Sequence, residues 1–397
     1  MLVLVDMGDI KLRADSGWIQ KKQLSSLSSS VPLEPDYFNL SITLSIMSRY
    51  ASLYANPQGL GDARPTAQQI ITDENAQGRL IGKTIVITGV SSGIGIETVR
   101  SLATTGAKLF LVARNLTKAK NAIGESFNPE QMELVEMDQA SLESVRSAAA
   151  TILAKTDKIS ILVNNAGVMA LQDLQLTEQG HELQFATNHL AHFLFFNLLK
   201  PALLAGSSPE FHSRVVNVAS AGHRVQGLNE SENYHYQKGG YTPWGAYGQS
   251  KSANVYMANE IERRYGARGL HATSLHPGMV ATELGRNLPE AELGGMLQDE
   301  LVLKILLNPA QGAATTVWAA ISQELEGKGG LYLSDCSVAE RDDHDPNPAS
   351  AKYTSHTYSP EAEARLWKDS LEMVGLSDDE RTGCQGSSCF TGMFCRK

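Results

Sequence analysis

The chain is 397 residues long, 42% hydrophobic and 19% charged, with 34 Lys and Arg against 43 Asp and Glu for a formal net charge of −9. That apolar share is enough for a sizeable core, and the acidic balance argues against nucleic acid or an anionic membrane surface as the principal partner. The four cysteines, Cys336, Cys384, Cys389 and Cys395, lack the CxxC pairs of zinc sites, so neither a metal nor thiol chemistry is expected.

Residues 1–63 are Ser-rich near 25–30, carry VPLEP and show no useful apolar period, so they are expected to form a poorly ordered extension. The opening run MLVLVDMGDIKL is broken by Asp6 and Asp9 and lacks the basic leader of a signal peptide. Residues 83–88, KTIVIT, then read as a buried strand, Gly89 to Gly95 as a tight turn, and Ile96 to Ala103 as an amphipathic helix. In such a turn Gly89 allows the sharp bend, Gly93 lets backbone approach a pyrophosphate, and Gly95 permits close helix–strand packing, with the anion on helix N–H groups. Strand before and helix after favour a phosphate site over an ordinary Gly/Ser turn.

A second apolar strand, residues 108–113, ends in Arg114-Asn115, where dinucleotide folds read the adenosine ribose. An acidic residue there binds a free 2′-hydroxyl, whereas Arg114 pairs with a 2′-phosphate, so NADP(H) is expected over NAD(H). The alternative is that Arg114 merely ends a strand in solvent. Further on, Asp138-Gln-Ala-Ser looks like a helix N-cap leading into Leu142 to Leu153. The run Leu190 to Ala205 contains His192, Asn197, Lys200 and Pro201 and is shorter than the roughly 20 residues that a membrane span requires, so it reads as a core helix.

Tyr247 and Lys251 stand four apart in YGQSK and share one helix face. A free phenol, with a pKa of roughly 10, is too weak an acid for efficient proton transfer near neutrality, and an ammonium one turn away brings that value down. Taken alone the pair is more often a solvated surface contact. The glycine turn upstream shifts the balance toward chemistry.

These segments, with Asn164-Asn165-Ala166-Gly167, Asn188 in FATNHLAHF, Ser220 ending VVNVAS and HPGMVAT at 276–282, resemble the classical short-chain dehydrogenase/reductases. Within them the chain is most similar to the retinol-dehydrogenase-like and WW-domain-oxidoreductase-like branch, through LVARN, FATNHLAHF and the long stretch between Ser220 and Tyr247. The resemblance runs from about Arg64 to about Gly375. It implies an α/β fold, a Rossmann-like doubly wound parallel sheet forming a single domain over 64–377 with a helical substrate lid, followed by a Cys/Gly/Ser-containing disordered tail at 378–397. Met47, in IMSRYASLY, is a candidate natural start because the similar sequence begins soon after it.

Carried over position by position, the resemblance implies that Tyr247 exchanges a proton with the substrate oxygen and Ser220 hydrogen-bonds that oxygen. Lys251 would lower the pKa of Tyr247 and hold the nicotinamide ribose, and Asn188 would retain a water that relays protons. Gly89, Ser91, Ser92, Gly93, Ile94 and Gly95 would cradle the phosphates, Arg114 the 2′-phosphate, Asp138 the adenine and Asn165 the ribose. Val280 and Thr282 would meet the carboxamide in a loop bent by Pro277 and Gly278. The helix from Leu190 would pack in a homodimer interface, and a cytoplasmic location is the default.

The activity so implied is NADP(H)-dependent interconversion of a carbonyl and an alcohol, with a tailoring step in secondary-metabolite biosynthesis suggested by similarity to stand-alone fungal-type reductases. The 220–247 stretch holds His223, Leu228, Tyr234, Tyr236, Tyr241 and Trp244, and 283–308 holds Leu284, Leu288, Leu293, Met296 and Leu297, reading as a lid. Such residues suit a bulky hydrophobic carbonyl or alcohol substrate, with His223 a candidate to face it and His276 structural. A non-catalytic NADP(H)-binding redox sensor or scaffold is the alternative, although a sensor has no need of Asn188, Ser220, Tyr247 and Lys251 together. An epimerase or dehydratase would carry a larger C-terminal substrate domain.

Overall fold

The computed structural model describes residues 3–6, 9–14, 17–19 and 49–378, apart from 346, 348 and 349, and divides the chain into two units, Met1–Ile46 and Met47–Lys397. In the first, β1 (Val3–Asp6), β2 (Asp9–Ala14) and β3 (Gly17–Ile19) pair antiparallel in that order. The expected extension over 1–63 therefore holds short strands at its start. Its last part is also folded, because residues 49–63 belong to the second unit, where Tyr50 is buried and donates to Asp73 Oδ2 at 2.9 Å. The tail expected at 378–397 lies outside the described residues beyond Asp378.

The second unit begins with α1 (Ala51–Tyr54) and α2 (Ala67–Asp73), then alternates β4 (Thr84–Thr88), α3 (Ile94–Ala103), β5 (Lys108–Ala113), α4 (Leu116–Ile123), β6 (Met132–Glu136), α5 (Leu142–Leu153) and β7 (Ile161–Asn164). A short helix α6 (Leu183–Phe185) runs through a π-helical turn at Ala186–Leu190 into α7 (Ala191–Gly206), followed by β8 (Ser213–Val218), α8 (Pro243–Tyr265) and β9 (Leu270–Leu275). Two small helices, α9 (Glu290–Met296) and α10 (Glu300–Ile305), precede α11 (Pro309–Gly312), α12 (Ala314–Ile321), the hairpin β10 (Leu331–Ser334) and β11 (Ser337–Val338), and α13 (Pro360–Met373).

The sheet runs β11-β10-β9-β8-β7-β4-β5-β6, parallel throughout except that β11 is antiparallel to β10. Strands β4, β7, β8 and β9 are buried along their whole length; β4 and β7 are accordingly mostly apolar without alternation, whereas β8 and β9 also bury polar residues such as Arg214, Asn217 and His271. Alternate residues feed two cores: Val86, Phe110, Leu162 and Val215 face α5, α7, α8 and α13, whereas Ile85, Ile87, Leu111 and Val163 face α2, α3 and α12. Strand order reverses between β4 and β7, so a crevice opens beyond their carboxyl ends, the place where such sheets bind ligands. The doubly wound sheet is thus as expected.

Helix α13 changes one expectation. Ser359 caps it by accepting from Ala362 N, Pro360 starts it, and Glu363, Leu366, Trp367, Ser370 and Leu371 form its buried stripe. The Trp367 ring lies 4.9 Å from Phe193 and 6.1 Å from Phe196, and Ser370 Oγ is 2.9 Å from His189 Nε2. The helix assigned to a homodimer interface is therefore covered by α13 of the same chain. Replacing Trp367 by Ala is expected to cost about 3–5 kcal/mol, read from the midpoint of denaturant unfolding, and a shift under about 1 kcal/mol would show that this cover is loose.

Candidate active site

The crevice is built first from glycine backbone. Gly89 has φ +74°, and a Cβ there would sit 2.7 Å from Ala166 Cα and 2.9 Å from Asn165 Nδ2. A Cβ on Gly95, inside α3, would fall 2.1 Å from Gly89 O, so the helix approaches the strand end as only glycine allows. Gly93, at φ +61°, leaves room for Thr282, whose Cβ would be 3.2 Å from an added methyl. Gly93 also caps α3 without a side chain, so no side-chain oxygen occupies the first N–H groups of that helix. Ser91, Ser92 and Ile94 lie half-buried in the same turn.

Asn165 ties this turn to β7. Its amide donates to Thr88 O at 2.8 Å and Gly89 O at 3.1 Å, while its Oδ1 is buried with no partner among the described residues. Arg114 directly follows β5, exposed and without a hydrogen bond or ion pair among the described residues. Asp138 follows β6, half-buried, and accepts from Ala140 N at 3.0 Å; the cap of α5 is Ser141, so Asp138 closes the preceding turn instead of capping the helix. Because β4, β5 and β6 are neighbours, the glycine turn, Arg114 and Asp138 follow three adjacent strand ends.

The four residues expected to share a proton path come together on the other side of the switch point. Thr242 caps α8 and Pro243 starts it, fixing the register that buries Tyr247 and Lys251. Ser220, just past β8, accepts from Gly222 N at 3.0 Å and hydrogen-bonds Tyr247. Lys251 Nζ donates to Val218 O at 2.9 Å and lies 5.6 Å from the centre of the Tyr247 ring. Asn188 sits in the π-helical turn, a local widening common at functional sites. Its Oδ1 accepts from Val168 N at 2.9 Å, its Nδ2 donates to Val168 O at 3.0 Å and Ser250 Oγ at 2.9 Å, and Ser250 Oγ donates to Tyr247 O at 2.7 Å. Asn188 thus clamps the 165–168 segment to the helix of the phenol.

Electrostatics corrects one reading. Burial pushes the Tyr247 phenol up to about 12, with the Ser220 hydrogen bond pulling the other way, and burial draws the Lys251 ammonium down to about 8. Spacing alone suggested that Lys251 would lower the phenol pKa. In the folded chain desolvation outweighs that, and one N–H of Nζ donates to the Val218 carbonyl.

His223 is not placed to face a substrate: it is fully buried, its Nδ1–H donates to Ser220 O at 2.7 Å, and Tyr332 OH lies 3.2 Å away. His276 is structural as expected, its Nδ1 accepting from Ala221 N at 3.1 Å. Tyr234 stacks on Phe185 at 5.4 Å within the core, so it too is packing. Trp244 is the aromatic that meets the site, edge-on to Tyr247 at 5.9 Å.

The segment after Thr282 is a lid of short helices: a 3-10 turn at Glu283–Asn287, then α9 and α10. Its base is closed where Ala281 N donates to Leu307 O at 3.0 Å and Leu307 N to Met279 O at 2.8 Å, which brackets Val280. Trp244 Nε1 donates to Glu292 Oε1 at 2.8 Å, Asn287 Nδ2 to Met169 O at 3.2 Å, and Lys118 Nζ pairs with Glu283 at 2.9 Å. Leu293 and Leu297, expected to line a pocket, point outward with 41% and 52% exposure. Periodicity cannot tell the inner face of a lid from its outer one.

Sequence reading missed two residues here. Gly222 lies under the Tyr247 ring, and a Cβ on it would be 2.7 Å from Cε1, so a glycine two places after a candidate serine was the available signal. His192 donates from Nδ1 to Asn188 O at 3.0 Å and takes Thr88 Oγ1 on Nε2 at 2.9 Å, joining the π turn to β4; nothing in its local pattern marks it.

A family profile described as short chain dehydrogenase matches residues 83–293. The chain is 45% identical over 334 residues to the short-chain dehydrogenase/reductase prx1 of Penicillium roqueforti, covering 83% of this chain and 96% of that protein. It is 34% identical over 302 residues to retinol dehydrogenase 13 of Mus musculus, covering 75% and 85%. A crystal structure of an uncharacterized protein from Mycobacterium paratuberculosis aligns with a TM-score of 0.57 at 30% identity, covering 75% of this chain and 94% of that one.

Proposed function

This chain belongs to the short-chain dehydrogenase/reductase family, and we propose that within it the protein is an NADP(H)-dependent oxidoreductase interconverting a carbonyl and an alcohol on a hydrophobic small molecule. The observation that carries the reading is the meeting of the Ser220 and Tyr247 hydroxyls beside Lys251 and Asn188, at the crevice that the glycine turn also borders. A tailoring step in secondary-metabolite biosynthesis, in the cytoplasm, is the setting we assign. No helix among the described residues is long and apolar enough to cross a membrane.

The residues present fit a dinucleotide. Bare glycine backbone leaves space for phosphates, and Asn165 Oδ1 and Arg114, neither with a partner among the described residues, suit a ribose hydroxyl and a 2′-phosphate. Asp138 would stand by the adenine, and Val280 and Thr282 by the carboxamide. When bound, the nicotinamide supplies the hydride, and the chain supplies orientation and a proton. Tyr247 carries its proton at neutral pH and, beside Ser220, is the group placed to hand it to the substrate oxygen in carbonyl reduction, burial alone making it a weaker acid than a free phenol. Ser220 would hydrogen-bond the substrate oxygen, and Lys251 would hold the nicotinamide ribose.

Screening purified protein with NADPH and NADH against hydrophobic ketones, aldehydes and alcohols tests the activity. Arg114→Ser is expected to raise KM for NADPH by about tenfold or more and leave NADH use unchanged, since a charge-assisted contact is lost. Equal or better turnover of the unaltered protein with NADH would overturn the assignment of Arg114.

A further inference from the structure

Arg64 is a buried cation that the chemistry above does not use, 5% exposed and ahead of the first strand of the main sheet. Its Nε donates to Asp62 Oδ1 at 2.8 Å and Oδ2 at 3.0 Å. The rest of the guanidinium is spent on backbone: Nη1 donates to Ile305 O at 2.7 Å, and Nη2 to Leu306 O at 2.9 Å, Lys304 O at 3.3 Å and Gly59 O at 3.1 Å. Three of those carbonyls lie at the carboxyl end of α10, where a helix leaves acceptors unsatisfied and its dipole favours a cation.

The grip is made at the root of the lid. Leu307, the next residue, is the one hydrogen-bonded to Met279 and Ala281 around Val280. The loop that delivers Arg64 is strapped down by Gln311, whose Nε2 donates to Asp62 O at 3.2 Å and Arg64 O at 3.1 Å while its Oε1 accepts from Gly61 N at 3.0 Å. The loop also comes close, since a Cβ on Gly59, at φ +98°, would be 3.0 Å from Leu303 O.

Apart from Arg64 the lid is held chiefly by polar tethers, Trp244 to Glu292, Asn287 to Met169 O and Lys118 to Glu283, all of which lie toward its start. Neither its 3-10 turn nor α9 nor α10 contains a buried residue, so residues 283–306 gain little from apolar burial and belong to the low-stability end of the fold. Of its polar tethers, the Lys118–Glu283 pair is more than half exposed on both sides and contributes little. We propose that Arg64 is a positioning residue for the lid: it fixes the carboxyl end of α10 and the bridge that Leu307 makes beside Val280, and thereby sets how well the site retains a bulky hydrophobic substrate. This rests on the oxidoreductase reading only for its kinetic consequence.

The test uses the full chain with Arg64→Ala and Arg64→Lys, and two readouts. Limited proteolysis is expected to cut within 283–306 about tenfold faster in both variants, with NADPH binding and cleavage elsewhere unchanged. With a bulky and a compact carbonyl, KM for the bulky one is expected to rise about tenfold while kcat, and both constants for the compact one, stay within about twofold. Lysine is expected not to rescue, because one ammonium cannot cover Asp62 and four carbonyls as a planar fork does. Lid cleavage at the unaltered rate, or kcat falling equally for both carbonyls, would overturn the proposal. If Arg64→Ala yields no folded protein, Gln311→Ala decides by the same two readouts. If the unaltered protein reduces no carbonyl, the oxidoreductase reading fails while proteolysis still decides the clamp.

Discussion

Tyr247→Phe is expected to lower kcat/KM for carbonyl reduction by about 10²–10⁴-fold while NADPH still binds, as followed by loss of NADPH absorbance and by fluorescence titration. The substitution keeps the ring that Trp244 meets edge-on and that Gly222 makes room for, so the loss reports the hydroxyl. Unchanged reduction would remove Tyr247 from the chemistry. The pH dependence has a definite sign. The phenol pKa is raised, so the protonated form needed for reduction persists through neutrality, and Lys251 sheds its charge near 8. Reduction is therefore expected to hold level below about 8 and to fall as pH rises through that value. Alcohol oxidation needs the ionised phenol, whose fraction grows about tenfold per pH unit, so its rate is expected to rise with pH. Reduction that accelerates with rising pH would contradict this assignment.

Gly95→Ala is expected to weaken NADPH binding by about 100-fold, through a shift of the turn by about an ångström or more. The added methyl would meet Gly89 O at 2.1 Å, which is backbone against backbone, so no flexible side-chain tip is available to move aside. Overpacking of this kind also costs about 1–3 kcal/mol of stability, so affinity and unfolding are to be measured on the same preparation. Unchanged affinity in a folded variant would show that the glycine turn is not the phosphate cradle.

Much of the sheet was legible because its signals are local. The second apolar strand begins and ends where its run does, at Lys108–Ala113, and the helix Leu142–Leu153 is bounded as read, although Ser141 rather than Asp138 caps it. The glycine turn and the YGQSK helix were legible for the same reason. What escaped is set by tertiary burial. Spacing placed Lys251 beside Tyr247 but could not give the desolvation that reverses the expected pKa direction. Composition marked Tyr234 and His223 as aromatic wealth near the site, whereas packing put both in the interior. Residues 57–64 carry no periodic signal, and their importance appears only once Arg64 is seen against carbonyls some 240 positions later.

The sealing of α7 and α8 by α13 bears on how the protein is made. His189 and Ser370, in contact across 181 positions, can meet only when nearly the whole described chain has left the ribosome. Until then the nascent protein carries an uncovered row of phenylalanines, Phe193 and Phe196 among them, beside the helix that bears Tyr247. Covering of that face is therefore expected to wait for the last described helix, and a chain stopped before Pro360 is expected to expose those rings, which a rise in binding of a hydrophobic dye would show.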